Sequence, residues 1–212
     1  MRSQTEWVNW VQQLQAIAQN GLTYCENPYD IERYEQLRTL AAEIAAVYSH
    51  NDFVTIHDLF ARAQDGYATP KIDVRGAVFR EDALLLVRER SDNGRWTLPG
   101  GWADVGDPPS TAVTREVYEE SGFETTAVKL LACYDRNLQG HPPHPNHMYK
   151  LIFHCQIIGG GPQTGHETAE VAFFRQAELP STEELSISRT TATQLQRIFA
   201  HYHSPHLPTD FD

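Results

Sequence analysis

Between Gly101 and Phe123 the chain reads G-W-A-D-V-G-D-P-P-S-T-A-V-T-R-E-V-Y-E-E-S-G-F. Its chemistry lies in Arg115-Glu116-Val117-Tyr118-Glu119-Glu120. Residues three and four apart share one face of a helix, so Glu116, Glu119 and Glu120 converge. Carboxylates held that close repel one another and weaken the helix that carries them. A hard divalent cation reverses the penalty, because it takes carboxylate oxygens and keeps positions for bridging phosphate oxygens. Val113 and Val117 lie on a different face, suited to packing on a sheet. Asp107 before Pro108 predicts a helix start, with the carboxylate as N-cap and proline at the first helical position. Gly122 predicts its stop. The plainer reading of such a charge run is a solvated acidic helix.

The elements that must position this helix divide the chain in two. At 212 residues with 41% hydrophobic content it has enough apolar material for a core. Residues 3–20 predict an amphipathic helix carrying Trp7, Trp10, Val11, Leu14, Ile17 and Ala18, with Gly21 as its stop. Asp30 is the expected N-cap of a second helix to about Tyr48, with Tyr34, Leu37, Ala41, Ile44 and Ala45 on one face. Phe53–Phe60 adds a third helical piece. From Gly66 the pattern changes to strands: Val74–Phe79 and Ala83–Val87 as a pair, then Lys129–Tyr134, Tyr149–Ile157 and Val171–Phe174. Gly159–Pro162 reads as a flexible turn, Ser186 to about His201 as a final helix, and Ser204–Asp212 as a loose tail. The expected domains are 1–65 and 66–212.

Composition excludes some classes. The formal net charge is −11, from 17 basic and 28 acidic residues, so the chain is no general binder of polyanions. No apolar run reaches eighteen residues, and the N-terminus lacks the apolar stretch of a signal peptide. Cys25, Cys133 and Cys155 are odd in number and widely spaced, which points to a reducing cytoplasm and away from a zinc site.

The acidic stretch resembles the Nudix box: Gly, five residues, Glu, seven residues, then Arg-Glu-apolar-x-Glu-Glu-x-Gly-apolar. Here it runs Gly101, Asp107, then Arg115-Glu116-Val117-x-Glu119-Glu120-x-Gly122-Phe123. Asp107 stands where the family has Glu, a position that is not its main metal ligand. The segments Ala16–Tyr24 and Tyr67–Gly76 resemble a Nudix subgroup with an N-terminal helical domain, which includes CDP-choline pyrophosphatases and proteins labelled ADP-ribose pyrophosphatases. The resemblance implies an α/β (α+β) fold, an α/β/α sandwich with a mixed sheet behind a small helical domain. It also implies homodimers that use the N-terminal region.

From this resemblance follow the expected site residues. Glu116, Glu120 and the Gly101 carbonyl would hold Mg²⁺ or Mn²⁺. Glu119 and Arg115 would act beside them, Arg115 by pairing with a box carboxylate such as Asp107 or Glu119. Nudix enzymes often recruit one more Glu from a loop; Glu167 is the candidate and Glu170 its competitor, and solvated loop charge fits either one as well. Arg75, Trp102, His144, His147 and Lys150 are the candidates for substrate contact. His141, His144 and His147 share a Pro-rich loop that would line the substrate, while His suits Mg²⁺ poorly. Trp102 could stack on a base or simply cover the core. The function implied is cleavage of the diphosphate in a nucleoside diphosphate-X compound, with ADP-ribose or CDP-choline as the type. A divalent ion would neutralise and orient the phosphates and acidify water. Two other readings stand beside it: an RNA-end-processing enzyme, disfavoured by the lack of a basic stripe, and a non-catalytic nucleotide sensor, disfavoured by three metal-ready carboxylates.

Overall fold

Apolar stripes and alternating strands fold here into two compact units, Met1–Pro70 with Pro143–His147, and Lys71–Pro142 with Met148–Asp212. The computed structural model describes residues 6–61 and 66–212; residues 3–5 of the expected first helix lie outside them. Gly66–Pro70 thus goes with the helices, and local bonds show why. Gln19 and Thr23 donate to the Gly66 carbonyl at 3.0 and 3.2 Å, and Asn20 accepts the Ala68 N–H at 2.6 Å.

The first unit contains α1 (Glu6–Tyr24), α2 (Pro28–Ser49) and α3 (Phe53–Ala61). α1 runs through Gly21, the expected stop. A Cβ at Gly21 would strike the Tyr34 ring, so this glycine serves close helix contact and not a turn. α2 begins earlier than expected. Asn27, not Asp30, is its N-cap, accepting the Tyr29 N–H at 2.9 Å with Pro28 in the first turn. Val11, Ala41, Ala42, Ala45, Ile56 and Phe60 form the core of this unit. Trp10 and Ile17, from the predicted apolar stripe, stay exposed.

The second unit is a seven-stranded mixed sheet between two helices. Its strands are β1 (Lys71–Arg80), β2 (Ala83–Glu89), β3 (Arg95–Thr97), β4 (Phe123–Asp135), β5 (Met148–Gly160), β6 (Thr168–Arg175) and β7 (Asp210–Phe211). Their order is β3-β2-β1-β5-β4-β7, with β6 on β2. β1 runs parallel to β5 and antiparallel to β2. α4 (Pro109–Ser121) covers one face through Ala112, Val113 and Val117, packed on Val74, Val78 and Leu85. A Cβ at Gly76 would strike Val117, so glycine lets α4 settle directly on β1. α5 (Ala192–His203) covers the other face through Leu195, Ile198 and Phe199.

Three predicted boundaries shift. α4 starts after Pro108, which takes the N-cap place with no side-chain cap, because the Asp107 carboxylate is pulled to Arg115. α5 starts at Ala192, where Thr191 and Gln194 form a reciprocal capping box; residues 186–191 are not helical, with a turn at 187–189. The expected loose tail is tied down. Asp210 accepts from Tyr134 Oη and Arg197 Nε, each at 2.6 Å, and β7 pairs with Ala132–Cys133. Among the described residues no helix is long and apolar enough to cross a membrane.

Candidate active site

The acidic face of α4 sits against the loop that follows β3. Glu120, 6% exposed, accepts the Gly100 N–H at 2.9 Å. Gly100 has φ 144°, and a Cβ there would run into the Val74 carbonyl, so only glycine brings this loop onto β1. A Cβ at Gly101 would lie 2.6 Å from Glu116 Oε2. The space in front of Glu116 thus exists because position 101 has no side chain. Gly101's carbonyl accepts the Val74 N–H at 2.8 Å, which leaves a second lone pair. At the far end of α4, Gly122 adopts φ 75° and closes the helix on the Tyr118 carbonyl.

Arg115 stands among the carboxylates. Its Nη1 donates to Glu116 at 2.9 Å and Glu119 at 3.2 Å, its Nε donates to Asp107 at 3.3 Å, and Asp104 lies 3.1 Å from Nη2. One guanidinium thereby spreads and orients four acidic groups. Burial pushes Glu120 up to about 7; Arg75 and the Gly100 N–H oppose it, while Glu116 and Glu89 add to it. Burial also raises Glu116, against Arg115. The fold therefore holds two carboxylates where their charge is unwelcome unless a cation arrives.

Whether a metal suits these residues follows from the donors. Among the described residues, no three His, Cys, Asp or Glu side chains are drawn together tightly enough to enclose an ion on their own. Like charges spread when only Arg115 and, from inside the sheet, Arg75 balance them. Glu116, Glu120 and the Gly101 carbonyl nonetheless offer hard oxygen donors beside the gap kept open by glycine. That donor set fits a hard divalent ion that keeps further positions for water or phosphate.

Behind this face lies a buried charge cluster. Asp73 takes two bonds from Arg75, at 3.0 and 2.7 Å, and one from Lys150 at 2.6 Å. Burial alone would raise Asp73, but Arg75 and Lys150 outweigh it and hold the carboxyl below its usual range. Burial lowers Lys150 to about 8, with Asp73 opposing. Arg75 is 4% and Lys150 1% exposed. This corrects the expectation of substrate contact: parallel pairing of β1 and β5 sets Asp73 opposite Lys150, and their charges satisfy one another inside the sheet. Arg75 acts on the site from behind, as a cation near Glu120 and Glu116.

The Pro-rich loop is also revised. His141 is buried, its Nδ1 on the Ile187 carbonyl at 2.6 Å and its Nε2 3.1 Å from Gln194 Nε2. It is a neutral clamp, lowered to about 4 by burial, and lines no open surface. His144 and His147 fall in the segment that belongs to the first unit. Trp102 is 44% exposed, bridges to Asp73 and has Lys71 5.8 Å over its ring. Glu167 is exposed just before β6, its carbonyl taking the Arg90 N–H. Glu170 is engaged with Arg88 at 3.0 Å.

Sequence reasoning missed Asp73, Glu89 and Thr168. Glu89 is 3% exposed at the end of β2 and adds negative charge near Glu120. Thr168, paired in register with Glu89, donates its hydroxyl to the Glu120 carbonyl at 2.8 Å. For Glu89 the available signal was a carboxylate two residues past the apolar run Leu84–Val87, in the same strand.

Comparison with known proteins accounts for both units. Residues 5–60 match the UDP-X-like, N-terminal oligomerisation domain, and residues 69–195 match the NUDIX domain. A Bacillus subtilis (strain 168) protein, YjhB, whose name gives ADP-ribose pyrophosphatase as a provisional assignment, is 44% identical over the full length of both chains. A crystal structure of a UDP-X diphosphatase superposes with a TM-score of 0.62 at 31% identity, covering 99% of each chain. An ADP-ribose pyrophosphatase from Streptococcus suis 89-1591 gives 0.60 at 37% identity, over 68% of this chain and 100% of its own. On these matches and the box geometry, the chain belongs to the Nudix family of hydrolases.

Proposed function

We propose that this hydrolase cleaves the diphosphate linkage of nucleoside diphosphate-X compounds, of the ADP-ribose, CDP-choline or UDP-X type. The products are a nucleoside monophosphate and a phosphorylated X. The observation that carries this reading is the pair Glu116 and Glu120, both largely buried, facing the side-chain-free backbone at Gly100–Gly101. The relatives' names support the substrate class through ADP-ribose, and the UDP-X diphosphatase adds uridine conjugates.

In this reading Glu116, Glu120 and the Gly101 carbonyl hold Mg²⁺ or Mn²⁺. When bound, such an ion neutralises the phosphate oxygens and acidifies water. Arg115 fixes Glu116 and Glu119 through one N–H-bearing nitrogen, so Glu119 stays at the edge of the site, where it takes a proton or orients water. Glu167, on the loop before β6, is the outside carboxylate for the same task. Arg75 steadies the ionised pair from inside the sheet. Trp102 offers a stacking face for the base, and His144 and His147 remain candidates for phosphate or base contact.

The first unit serves association in this reading. Trp10, Ile17, Leu40, Val47 and Tyr48 are exposed apolar groups on its helices, and the matched domain is an oligomerisation domain. A closed homodimer is the simplest assembly that covers them. The free cysteines suit a reducing cytoplasm.

The test is a panel of nucleoside diphosphate conjugates, incubated with Mg²⁺ or Mn²⁺ and read by product identity. A nucleoside monophosphate with phosphorylated X supports the reading. Release of inorganic phosphate alone, or no cleavage of any conjugate, counts against it.

A further inference from the structure

The sheet beneath the box helix holds one more buried carboxylate. On β2, Leu85 packs with the residues of α4, while Leu84 and Leu86 pack with those of α5, so side chains alternate between the two faces. Glu89, four residues beyond Leu85, falls on the α4 face. Pairing with β6 places it there independently. The register shift between Arg88 and Glu89 skips Ala169 and turns Thr168 onto the face of Val171 and Phe173. Glu89 stands directly opposite Thr168, and opposed residues of an antiparallel pair share a face. The Thr168 hydroxyl reaches the Glu120 carbonyl at 2.8 Å. Glu89, 3% exposed, therefore lies on the side of the sheet where Glu120 ends the acidic helix.

A buried carboxylate is costly unless its charge is balanced. Glu89 Oε1 accepts from the Ser91 hydroxyl at 2.8 Å and from the Ser91 N–H at 3.4 Å. Its counter-charge is Arg189, whose Nε lies 3.5 Å from Glu89 Oε2, longer than a good hydrogen bond. Other partners hold that guanidinium in place. Nη2 donates to the Ser91 hydroxyl at 3.1 Å, Nη1 donates to Ser186 Oγ at 3.3 Å, and Asp92 lies 3.8 Å from Nη1. The segment that carries Arg189 is itself tied down. Ser186 N–H donates to the Trp96 carbonyl at 2.8 Å, and the Thr190 and Thr97 hydroxyls meet at 2.9 Å. Arg189 thus divides its charge between Glu89 and Asp92, and its side chain is 29% exposed against 4% for Glu89. Water screens the cation more than the carboxylate, which leaves part of the Glu89 charge to act inward. Glu120 feels it. Burial raises Glu120 first, Arg75 and the Gly100 N–H oppose, and the charges of Glu116 and Glu89 add to the rise.

We propose that Glu89 and Arg189 form a charge pair that sets the cation affinity of the box site: Glu89 draws the divalent ion held by Glu116 and Glu120, and Arg189 limits that pull. Glu89 is here a positioning residue, acting by its charge on the β2 side of Glu120. The proposal deepens the cation-site reading and rests on it.

The experiment titrates Mn²⁺ into the full chain without substrate and reads free ion by electron paramagnetic resonance. Glu89→Gln keeps an oxygen for Ser91 and removes the charge, so affinity should fall by about tenfold, the scale of one nearby charge in a low-dielectric site. Arg189→Gln removes the opposing charge, so affinity should rise, by about threefold because that side chain is partly in water. Opposite shifts are the signature, since loosened packing alone would lower both. A fall in both variants marks the pair as scaffold and overturns the proposal, as does an unchanged affinity in either. Should Glu89→Gln not fold, Arg189→Gln decides alone: tighter binding supports the pair and weaker or equal binding overturns it. A wild type that binds no Mn²⁺ removes the cation site and the pair together. A wild type that binds Mn²⁺ with an affinity indifferent to both substitutions removes the pair and leaves the site standing.

Discussion

The two units differ in how they depart from the usual rule of apolar inside and charged outside. The sheet unit buries Asp73, Arg75, Glu89, Glu120, Arg136 and Lys150. The helical unit, among its described residues, buries no charged side chain, and exposes Trp10, Ile17, Leu40, Val47 and Tyr48 along its helices; the sheet unit exposes apolar groups too, such as Val105, Ile158 and Phe211, but alone buries charge. Buried charge is costly and persists where it is paired or where chemistry needs it. Exposed apolar surface is costly too and persists where a partner covers it. The contrast sets the unit proposed to react against the unit proposed to associate, and each half can be broken by itself.

The largest expected effect is on the buried ion cluster. Asp73→Asn leaves Arg75 and Lys150 without their carboxylate inside the sheet. Removing one partner of such a group costs about 3–5 kcal/mol. Denaturant unfolding should show a lowered midpoint on that scale, and an unchanged midpoint would mean the cluster is not held as described.

Next comes Glu120→Gln. The amide oxygen can still accept the Gly100 N–H, so the fold should stand. The charge needed to hold a cation is gone, and turnover should fall by at least about a hundredfold, as when one key electrostatic group is removed. Near-normal turnover in a folded variant would remove Glu120 from the proposed site.

A smaller effect concerns acid stability. Burial, then Lys150 and Arg136, hold His141 at about 4, below its ordinary 6.5, although its bond to Ile187 and the charge on Asp73 oppose them. As pH falls, the unfolded chain takes the proton first. Stability present above about pH 6.5 is therefore lost toward pH 4, by about 2 kcal/mol between pH 7 and 5 if linkage runs fully through this group. His141→Gln should flatten that slope in unfolding measured across the range. An equal slope in the variant would assign the acid sensitivity elsewhere.

The smallest effect on the fold belongs to the other unit. Trp10→Glu sits on exposed helix surface and should change unfolding free energy by about 0.5 kcal/mol or less. Light scattering at micromolar concentration should nevertheless show the chain shifting toward monomer. A wild type already monomeric there would refute the proposed dimer.

Much of this was legible in the sequence, and the reasons for the rest are local. The box helix was readable because its carboxylates repeat at three- and four-residue steps and its valines face the sheet. The strands were readable from apolar runs between turn residues. The helix starts were misplaced where two residues could cap: Asn27 outcompetes Asp30, and Arg115 draws Asp107 away from the cap of α4. Gly21 looked like a stop because its need for close contact with Tyr34 is a tertiary fact. The tail looked loose because its partners, Lys129, Leu130, Tyr134 and Arg197, are distant in sequence. Lys150 looked available for substrate because the parallel pairing of β1 with β5, which sets it opposite Asp73, leaves no mark in either strand alone. Arg75 lies two residues from Asp73 on the same strand, and what sequence did not show is that both are buried.

The central claim is that Glu116 and Glu120 hold a divalent ion. Mn²⁺ titrated into the full chain and followed by electron paramagnetic resonance tests it most directly. The account predicts that wild type binds Mn²⁺ and that the folded double variant, Glu116→Gln with Glu120→Gln, loses that binding by at least tenfold. Equal affinity in wild type and double variant would contradict it.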